Sequence, residues 1–304
     1  MKQYLFLTTL FVSIIFSSCE KTEKVDNFPK HEGKLVANCF FSSDSTFKFI
    51  LSKSLSPIDN APFRQLNSTK AYIKIFEDNV LFDSLTYKGG LYPSYTSTSF
   101  KKPTPNRTYR FECNYPGLGF VTSEDYLPDT VGINKVNGFY TVLSSYESND
   151  SSIYGDYATN LNIDLNKSQP YLMLKIQKTY PYSWMPNPTK YYDEVYEEIS
   201  DLNTTNESEH IAYSLFVSNT SGVKTLNLKW TTKFGMIYKN RPSSDYNIVV
   251  YSCSKAAYEY LKRQALQLEN QDDPFSQPTP MSNNIINGYG IFGGVNITHY
   301  SVTF

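Results

Sequence analysis

Cys19 is the residue whose position most clearly predicts a chemical modification. It ends the sequence FSSC, which closes an apolar run from Leu5 to Phe16 behind Lys2. The run is too short for a transmembrane helix, which needs roughly 20 apolar residues, and it has the length of the apolar region of a signal peptide. Small residues followed by cysteine resemble the cleavage site of bacterial lipoproteins. We therefore predict a lipoprotein signal peptide at residues 1–18 and a lipid on Cys19. The alternative is an ordinary secreted protein with a chance cysteine.

The residues after the predicted cleavage site indicate a flexible tether. Residues 19–32 are polar and charged, with almost no large apolar side chain, so they cannot bury a core. Several acyl chains on one cysteine give a stable membrane anchor, and a tether then holds a folded domain clear of the membrane. The expected location is the outer membrane, on its periplasmic or its cell-surface face.

Cys39 and Cys113 form a second candidate for covalent chemistry. Each lies on the apolar side of an alternating strand pattern, so each thiol is expected to point into a core. An oxidising compartment permits a Cys39–Cys113 disulfide, and two buried free thiols are the alternative. Because three cysteines follow Cys19, Cys253 is expected to be free in either case.

An aromatic cluster in the sequence YPYSWMPNPTKYY, residues 180–192, predicts a ligand site in a long loop. Flat aromatic faces stack on sugar rings or anchor a protein interface. The alternative is that the rings fold back onto their own domain. The candidate ligand-binding residues are Tyr180, Tyr182, Trp184, Tyr191 and Tyr192.

Catalysis and nucleic-acid binding are not indicated. The three histidines lack metal-ligand spacing, and the common hydrolase, zinc-protease and phosphate-loop motifs do not occur. The 28 basic and 29 acidic residues balance, so no nucleic-acid partner is expected. Glycosidase carboxylates can come from anywhere in a chain, which keeps a secreted glycan-acting hydrolase as an alternative. We expect no cofactor and no metal, and lean towards a binding protein that is not an enzyme.

The elements that must position these residues are predicted to be mainly β-strands. Tyr (26) and Phe (20) are abundant while only 19% of residues are charged, which favours strands. Short alternating runs separated by turn residues begin at residue 34, and the run HIAYSLFVSN (210–219) is among the best later strands. The predicted fold is two antiparallel β-sandwich-like domains. Residues 33–128 form an immunoglobulin- or transthyretin-like module, and residues 129–304 form a second β-rich domain.

One helix is predicted at about 255–269. Ser254 can cap its N-terminus, because a serine side chain accepts a hydrogen bond from the first helical amides. Ala257, Leu261 and Leu268 lie on or near one stripe of this helix. Prolines soon after residue 270 prevent it from continuing.

Three stretches near the C-terminus form a distinctive combination. A Ser-rich strand end leads into the Tyr-containing helix, DPFSQP follows at residues 273–278, and NIINGYGIFGG at residues 284–294. With the cysteine leader and the first strand LVANCFF, they resemble the Bacteroidetes lipoproteins grouped as domain-of-unknown-function family 4249. Many members of that family have a glycine early in the first strand, where this chain has Asn38 or Cys39.

The resemblance implies a lipid-anchored envelope protein, of a kind often encoded beside TonB-dependent outer-membrane receptors. No catalytic residues are carried over. The expected function is therefore an accessory binding module that works with such a receptor, with a glycan or a peptide as its ligand. A glycan hydrolase and a structural or adhesion lipoprotein are the alternatives. The glycines of the closing stretch are expected to serve turns or close backbone packing, a ligand-binding loop being the other interpretation.

Two tripeptides, Asp83-Ser84-Leu85 and Asp129-Thr130-Val131, resemble the O-glycosylation sequence of Bacteroidetes. Ser84 and Thr130 are therefore candidate glycosylation sites. Chance occurrence of so short a pattern is the alternative.

Overall fold

The protein is mainly β, which confirms the predicted class. A computed structural model describes residues 31–56, 66, 71–89, 94–148, 152–180, 191–194, 199–201, 207–219, 221–238, 245–271, 273 and 275–303. Within these residues there are seventeen strands and the single helix α1 (Lys255–Asn270). The strands are β1 (Leu35–Phe41), β2 (Lys48–Lys53), β3 (Tyr72–Glu77), β4 (Val80–Lys88), β5 (Ser94–Ser97), β6 (Thr108–Tyr115), β7 (Gly119–Tyr126), β8 (Ile133–Ser148), β9 (Ser152–Leu165), β10 (Tyr171–Tyr180), β11 (Tyr191–Glu194), β12 (Ser200–Asp201), β13 (Glu207–Ile211), β14 (Ser214–Ser218), β15 (Thr225–Tyr238), β16 (Asp245–Cys253) and β17 (Tyr289–Thr303).

The strands form two sheets. The larger follows the order β13-β14-β10-β16-β17-β1-β2-β5-β4-β3-β6-β7, with β11 beside β10, and the smaller follows β12-β15-β9-β8. Among the pairs in the described residues, β1 and β17 alone run parallel, and the others are antiparallel as predicted.

Strand β17 joins the two parts of the chain that were predicted as separate domains. Its residues from Tyr289 to Gly294 pair with β1, and its residues from Val295 to Thr303 pair with β16. The predicted boundary at residue 128 lies between β7 and β8, but both parts share this strand, and Gly33–Phe304 forms one compact unit.

The first core is a buried cluster rich in aromatic rings, formed by strands of the large sheet. Phe292 of β17 lies at its centre, with ring centroids 4.6 Å from Phe41, 5.8 Å from Phe49 and 5.1 Å from Phe111. Phe41 and Phe49 lie on the neighbouring strands β1 and β2, whereas Phe111 lies on β6, so its contact with Phe292 joins distant strands of the same sheet. Such ring pairs contribute about 0.5–1.5 kcal/mol each beyond the area they bury.

The second core lies between the smaller sheet and one face of the large sheet. Leu161 and Ile163 of β9 share a buried cluster with Leu174 of β10 and Ile248 of β16. Alternate residues of β9 face this core because side chains alternate along a strand. The intervening residues, such as Asn162, therefore point to the outer face of the smaller sheet.

Helix α1 covers the other face of the large sheet. Ser254 caps it as predicted, its Oγ accepting a hydrogen bond from the Ala257 amide at 3.2 Å. Ala257, Tyr258 and Ala265 are buried against the sheet. Leu268, placed on or near the same stripe by its spacing, is 55% exposed and faces a groove at the C-terminal end of the helix. In the described part of the chain, no helix has the length and apolar character needed to span a membrane.

The three cysteines after Cys19 are buried free thiols. For Cys39 and Cys113 this is the second of the two alternatives considered from the sequence, and Cys253 is free as expected. Burial raises the pKa of all three thiols, to about 12 for Cys113. Such thiols are poor nucleophiles because the thiolate is the reactive form.

Candidate functional site

The predicted aromatic site falls largely outside the described residues. Tyr182 and Trp184 lie outside them, as does Cys19, so both the ligand site and the lipid attachment stay predictions. Tyr180 and Tyr191 occupy directly opposite positions on β10 and β11. The pairing of β10 with β11 therefore places two of the five candidate ligand-binding residues side by side in the sheet.

The candidate glycosylation residues differ in accessibility. Ser84 on β4 is exposed, and Thr130 is half-buried. The preceding carboxylate of Asp83 is buried and accepts hydrogen bonds from the Ser84 amide at 2.7 Å and from the Ser97 hydroxyl. Burial acts to raise the pKa of Asp83, but the hydrogen bonds lower it overall. An enzyme that reads the folded protein would reach Ser84 but not Asp83, and both glycosylation sites stay predictions.

A concave site that the sequence analysis missed lies at the C-terminal end of α1. The helix and the segment 273–279 enclose an open groove of about 550 Å³. Half of its described lining residues carry carboxamide groups, and we call it the carboxamide groove. The lining residues are Gln264, Gln267, Leu268, Asn270, Gln271, Asp273, Ser276, Gln277, Pro278 and Thr279.

Helical spacing places the glutamines on one side of α1. Gln264, Gln267 and Gln271 are separated by three and four residues, which is the spacing of neighbours on one helix face. This spacing is the signal by which the sequence could have revealed the groove. Cores are built from apolar stripes, so a stripe of carboxamides marks the side of the helix that faces away from the core.

Hydrogen bonds to the helix hold the opposite wall of the groove. Gln267 Nε2 donates to the Thr279 carbonyl at 2.9 Å, and Arg263 Nη1 donates to the Pro280 carbonyl at 3.1 Å. The wall is thereby tied to the helix at two successive carbonyls. The groove is consequently formed before a ligand arrives, which limits the conformational entropy lost on binding.

Asp273 stabilises the turn that forms the groove wall. Its carboxylate accepts hydrogen bonds from the Phe275 amide and from the Ser276 hydroxyl, both at 2.9 Å. The Phe275 bond has the largest effect, and together these bonds lower the pKa of Asp273. Of the lining residues that the structure describes, Asp273 alone is ionisable. Since it stays ionised and bonded to its own turn, it is poorly suited to exchange protons with a substrate.

Phe275 is presented to solvent in the same turn. Its side chain is 93% exposed and follows Asp273 closely in the DPFSQP stretch. An aromatic ring this exposed contributes nothing to the core, whereas exposed rings are enriched among residues that anchor protein interfaces. The groove therefore combines neutral hydrogen-bonding groups with one adjacent aromatic anchor.

The search for a metal-binding site concerns only the residues that the structure describes. Among the residues placed there, no group of three or more His, Cys, Asp and Glu side chains is arranged to hold a metal ion.

The comparison with protein families gives one match. Residues 21–301 match the family model described as a domain of unknown function (DUF4249). A search of curated proteins finds no match. The family match covers nearly the whole chain, including every described strand but the last two residues of β17.

Proposed function

The chain thus belongs to the DUF4249 family, and on that premise we propose that it is a lipid-anchored accessory protein of the outer membrane that works with a TonB-dependent receptor. In this proposal the protein is a binding module. The observation that carries the proposal is the carboxamide groove, with Phe275 exposed beside it.

The chemistry of the groove favours binding over catalysis. A carboxamide offers two N–H donors and an acceptor oxygen, and it does not titrate near neutral pH. These groups match the N–H and C=O groups of an extended polypeptide backbone. The carboxylate of Asp273 is engaged with its own turn, so the groove has no ready proton donor or acceptor among its described lining residues.

The occupant that we propose for the groove is a polypeptide segment of the receptor. Carboxamides along the helix bond its backbone, while Phe275 enters an apolar pocket of the receptor. Interface energy is usually concentrated in a few aromatic or Arg residues. Phe275 is the residue that fits this description at the groove.

The membrane part of the proposal rests on the leader sequence. The apolar run ends at Cys19, residues 19–32 are polar, and the compact unit begins at Gly33. A lipid on Cys19 would hold the compact unit within reach of a membrane receptor. Replacement of Cys19 by Ser should therefore move the protein from the membrane fraction to the soluble fraction.

Affinity purification tests the receptor contact. The tagged wild-type protein is purified from its native outer membrane in detergent, and co-purified proteins are quantified by mass spectrometry. We expect a TonB-dependent receptor at near-stoichiometric amounts with the wild type, and at least about tenfold less with Phe275→Ala, since an aromatic anchor contributes about 2 kcal/mol or more. Gln267→Ala combined with Gln271→Ala should also reduce recovery.

A matched control separates the groove from general surface effects. Phe100 is 81% exposed and lies outside the groove lining, so Phe100→Ala should recover the receptor as the wild type does. Equal recovery with Phe275→Ala would show that the groove is not the contact. If the wild type recovers no receptor while it remains bound to the membrane, the receptor proposal fails.

A further inference from the structure

The outer face of the smaller sheet carries a row of asparagines. Asn137 of β8, Asn162 of β9 and Asn227 of β15 occupy directly opposite positions on three neighbouring strands. Asn160 lies two residues before Asn162 on β9 and so shares its face. Asparagine is depleted in strands, and four on one face are not explained by strand formation.

This face points away from the protein core. Leu161 and Ile163, the residues that alternate with Asn160 and Asn162 along β9, are buried in the second core. Asn160 and Asn162 are half-buried, as expected for the central strand of an open face. The row of asparagines is therefore accessible from solvent.

A hydrogen bond orients two of the asparagine side chains and leaves some of their donors and acceptors unused. Asn162 Nδ2 donates to Asn227 Oδ1 at 2.5 Å, which orients both side chains along the row. Each carboxamide has two N–H donors and two acceptor lone pairs, so this bond uses only part of the capacity of either group. The remaining groups are available to a ligand that has several closely spaced hydroxyls.

An exposed aromatic ring lies in the next row of the same face. Phe139 of β8 lies opposite Asn160, two residues beyond Asn137, and is 63% exposed. Successive rows are roughly 7 Å apart along a strand, and opposite residues are about 5 Å apart. The ring and the asparagines therefore cover an area comparable to one or two sugar rings.

We propose that this surface, the asparagine face, is a binding site for a neutral glycan. The apolar face of a sugar ring would stack on Phe139, as aromatic rings provide a flat apolar surface with polar groups free at its edge. Vicinal hydroxyls would then lie within reach of Asn137, Asn160 and Asn162, each of which can donate and accept. The face consists of Asn137, Phe139, Asn160, Asn162 and Asn227.

Composition and edge structure favour a glycan over other occupants. Lys135 lies opposite Asp164 in the row beyond the asparagines, so opposite charges balance there, and the exposed Lys229 of β15 lies opposite Asn160, where its ammonium group can donate to a sugar hydroxyl. A protein interface needs a desolvated apolar centre, and Phe139 is the one large apolar side chain of the asparagine face. Strand β8 is poorly suited to pair with the same strand of a second protein molecule. It has bulges between Val142 and Ser144 and between Ser145 and Glu147, and bulges protect sheet edges from further pairing.

The proposal is independent of the carboxamide groove, which lies on α1 and the segment that follows it. A glycan on the asparagine face would be held by the smaller sheet, while the groove binds the receptor. The two sites can therefore be tested separately in the same protein.

Affinity electrophoresis tests the proposal with the full-length protein, purified in detergent. Native gels contain xylan, galactomannan, dextran or a mixed-linkage β-glucan. We expect retardation of the wild type in at least one of these gels, and an apparent dissociation constant at least about tenfold higher for Phe139→Ala and for Asn137→Asp. Both positions are exposed, so neither change should alter folding by more than about 0.5 kcal/mol, which thermal unfolding will verify.

Two controls make the outcome specific. Tyr72 of β3 is exposed on the other sheet, so Tyr72→Ala should be retarded as the wild type is. Phe275→Ala should also keep glycan binding, even if it loses the receptor. Absence of retardation in all four gels would overturn the proposal, as would retardation that Phe139→Ala and Asn137→Asp leave unchanged.

Discussion

The carboxylate of Asp125, near the end of β7, accepts a hydrogen bond from the hydroxyl of Ser254, the residue that caps α1. The same oxygen of Asp125 accepts a hydrogen bond from the Gly294 amide at 3.1 Å. One carboxylate therefore ties the first half of the large sheet to the helix and to β17. Burial, the largest effect, raises the pKa of Asp125 to about 6, against an ordinary value of 3.8.

The raised pKa of Asp125 predicts a stability that falls as pH rises. Between pH 3.8 and about 6 the folded protein binds this proton more readily than the unfolded chain does, so the contribution to the free energy of unfolding is fully present below pH 3.8 and lost above about pH 6. Asp125→Asn keeps an acceptor oxygen and removes the titration. Urea denaturation of both proteins should show the wild type losing up to about 3 kcal/mol relative to the variant between pH 4 and pH 7. A constant difference across this range would contradict the prediction.

The side chain of Asn296 is expected to stabilise the junction between the two parts of the chain. Its side chain is buried, donates to the Pro128 carbonyl at 2.6 Å and accepts from the Ser43 amide at 2.9 Å. Asn296→Ala leaves these backbone groups without their partner, and should lower the free energy of unfolding by about 2–4 kcal/mol. Asn114→Ala, at an exposed position of β6, is the control and should change it by less than about 0.5 kcal/mol. Similar losses in both variants would argue against a special role of Asn296.

The substitution Gly294→Ala tests whether the glycines of residues 284–294 are needed for close packing of the backbone. A β-carbon at this position would lie 2.2 Å from the Tyr126 carbonyl oxygen and 2.9 Å from Leu127 Cα. Because both neighbours are backbone atoms, Gly294→Ala should lower the free energy of unfolding by at least about 2 kcal/mol. At Gly89 a β-carbon would meet nothing closer than 3.8 Å, so Gly89→Ala serves as control in the same denaturation series. Wild-type stability of Gly294→Ala would contradict the proposed role in backbone packing.

Replacement of Phe100 by glycine should stabilise the folded protein. It adopts a left-handed backbone conformation, with φ of 58°, while its side chain is 81% exposed. A bulky residue is strained there, whereas glycine is not. Phe100→Gly should raise the free energy of unfolding by about 0.5–1 kcal/mol, measured by thermal unfolding. Phe100→Ala keeps the strain and should bring no such gain; if it stabilises equally, relief of backbone strain is not the cause.

The buried thiols should be unreactive in the folded protein. Burial raises the pKa of Cys39, Cys113 and Cys253, and the thiolate is the form that reacts. Iodoacetamide at pH 8 should leave all three unmodified, and should modify all three after unfolding in guanidinium without reductant, as counted by mass spectrometry. A Cys39–Cys113 disulfide would instead leave two of them unmodified until a reductant is added.

Local signals explain which elements the sequence could predict. Helix α1 and its cap at Ser254 depend on neighbouring residues, and both were predicted. The run HIAYSLFVSN (210–219) is predicted as one strand, but the turn between β13 and β14 falls inside it. Its turn residues Ala212 and Tyr213 both have positive φ, 41° and 67°, a conformation that these residue types do not signal. Tertiary packing selects this turn, so the local sequence could not reveal it.

Long-range register explains most of what the sequence could not predict. Alternation along β9 predicts that Asn160 and Asn162 share a face, but only strand pairing places Asn137 and Asn227 beside Asn162. The carboxamide groove is different, because the spacing of Gln264, Gln267 and Gln271 is visible in the sequence. That spacing reveals one side of the groove only, because a helical pattern does not specify the wall formed by Asp273 and residues 276–279.

The shared strand β17 also fixes the order in which the protein can be assembled during its synthesis. The parallel neighbour of strand β1 is made long after it, since Ser43 and Asn296, which bond across this junction, are 253 residues apart. Because chains are made from the N-terminus, neither half of the large sheet can be completed until β17 arrives, and contacts of this separation form slowly. Local hairpins such as β6–β7 and β8–β9 can form earlier, but the large sheet is completed only once β17 has been made.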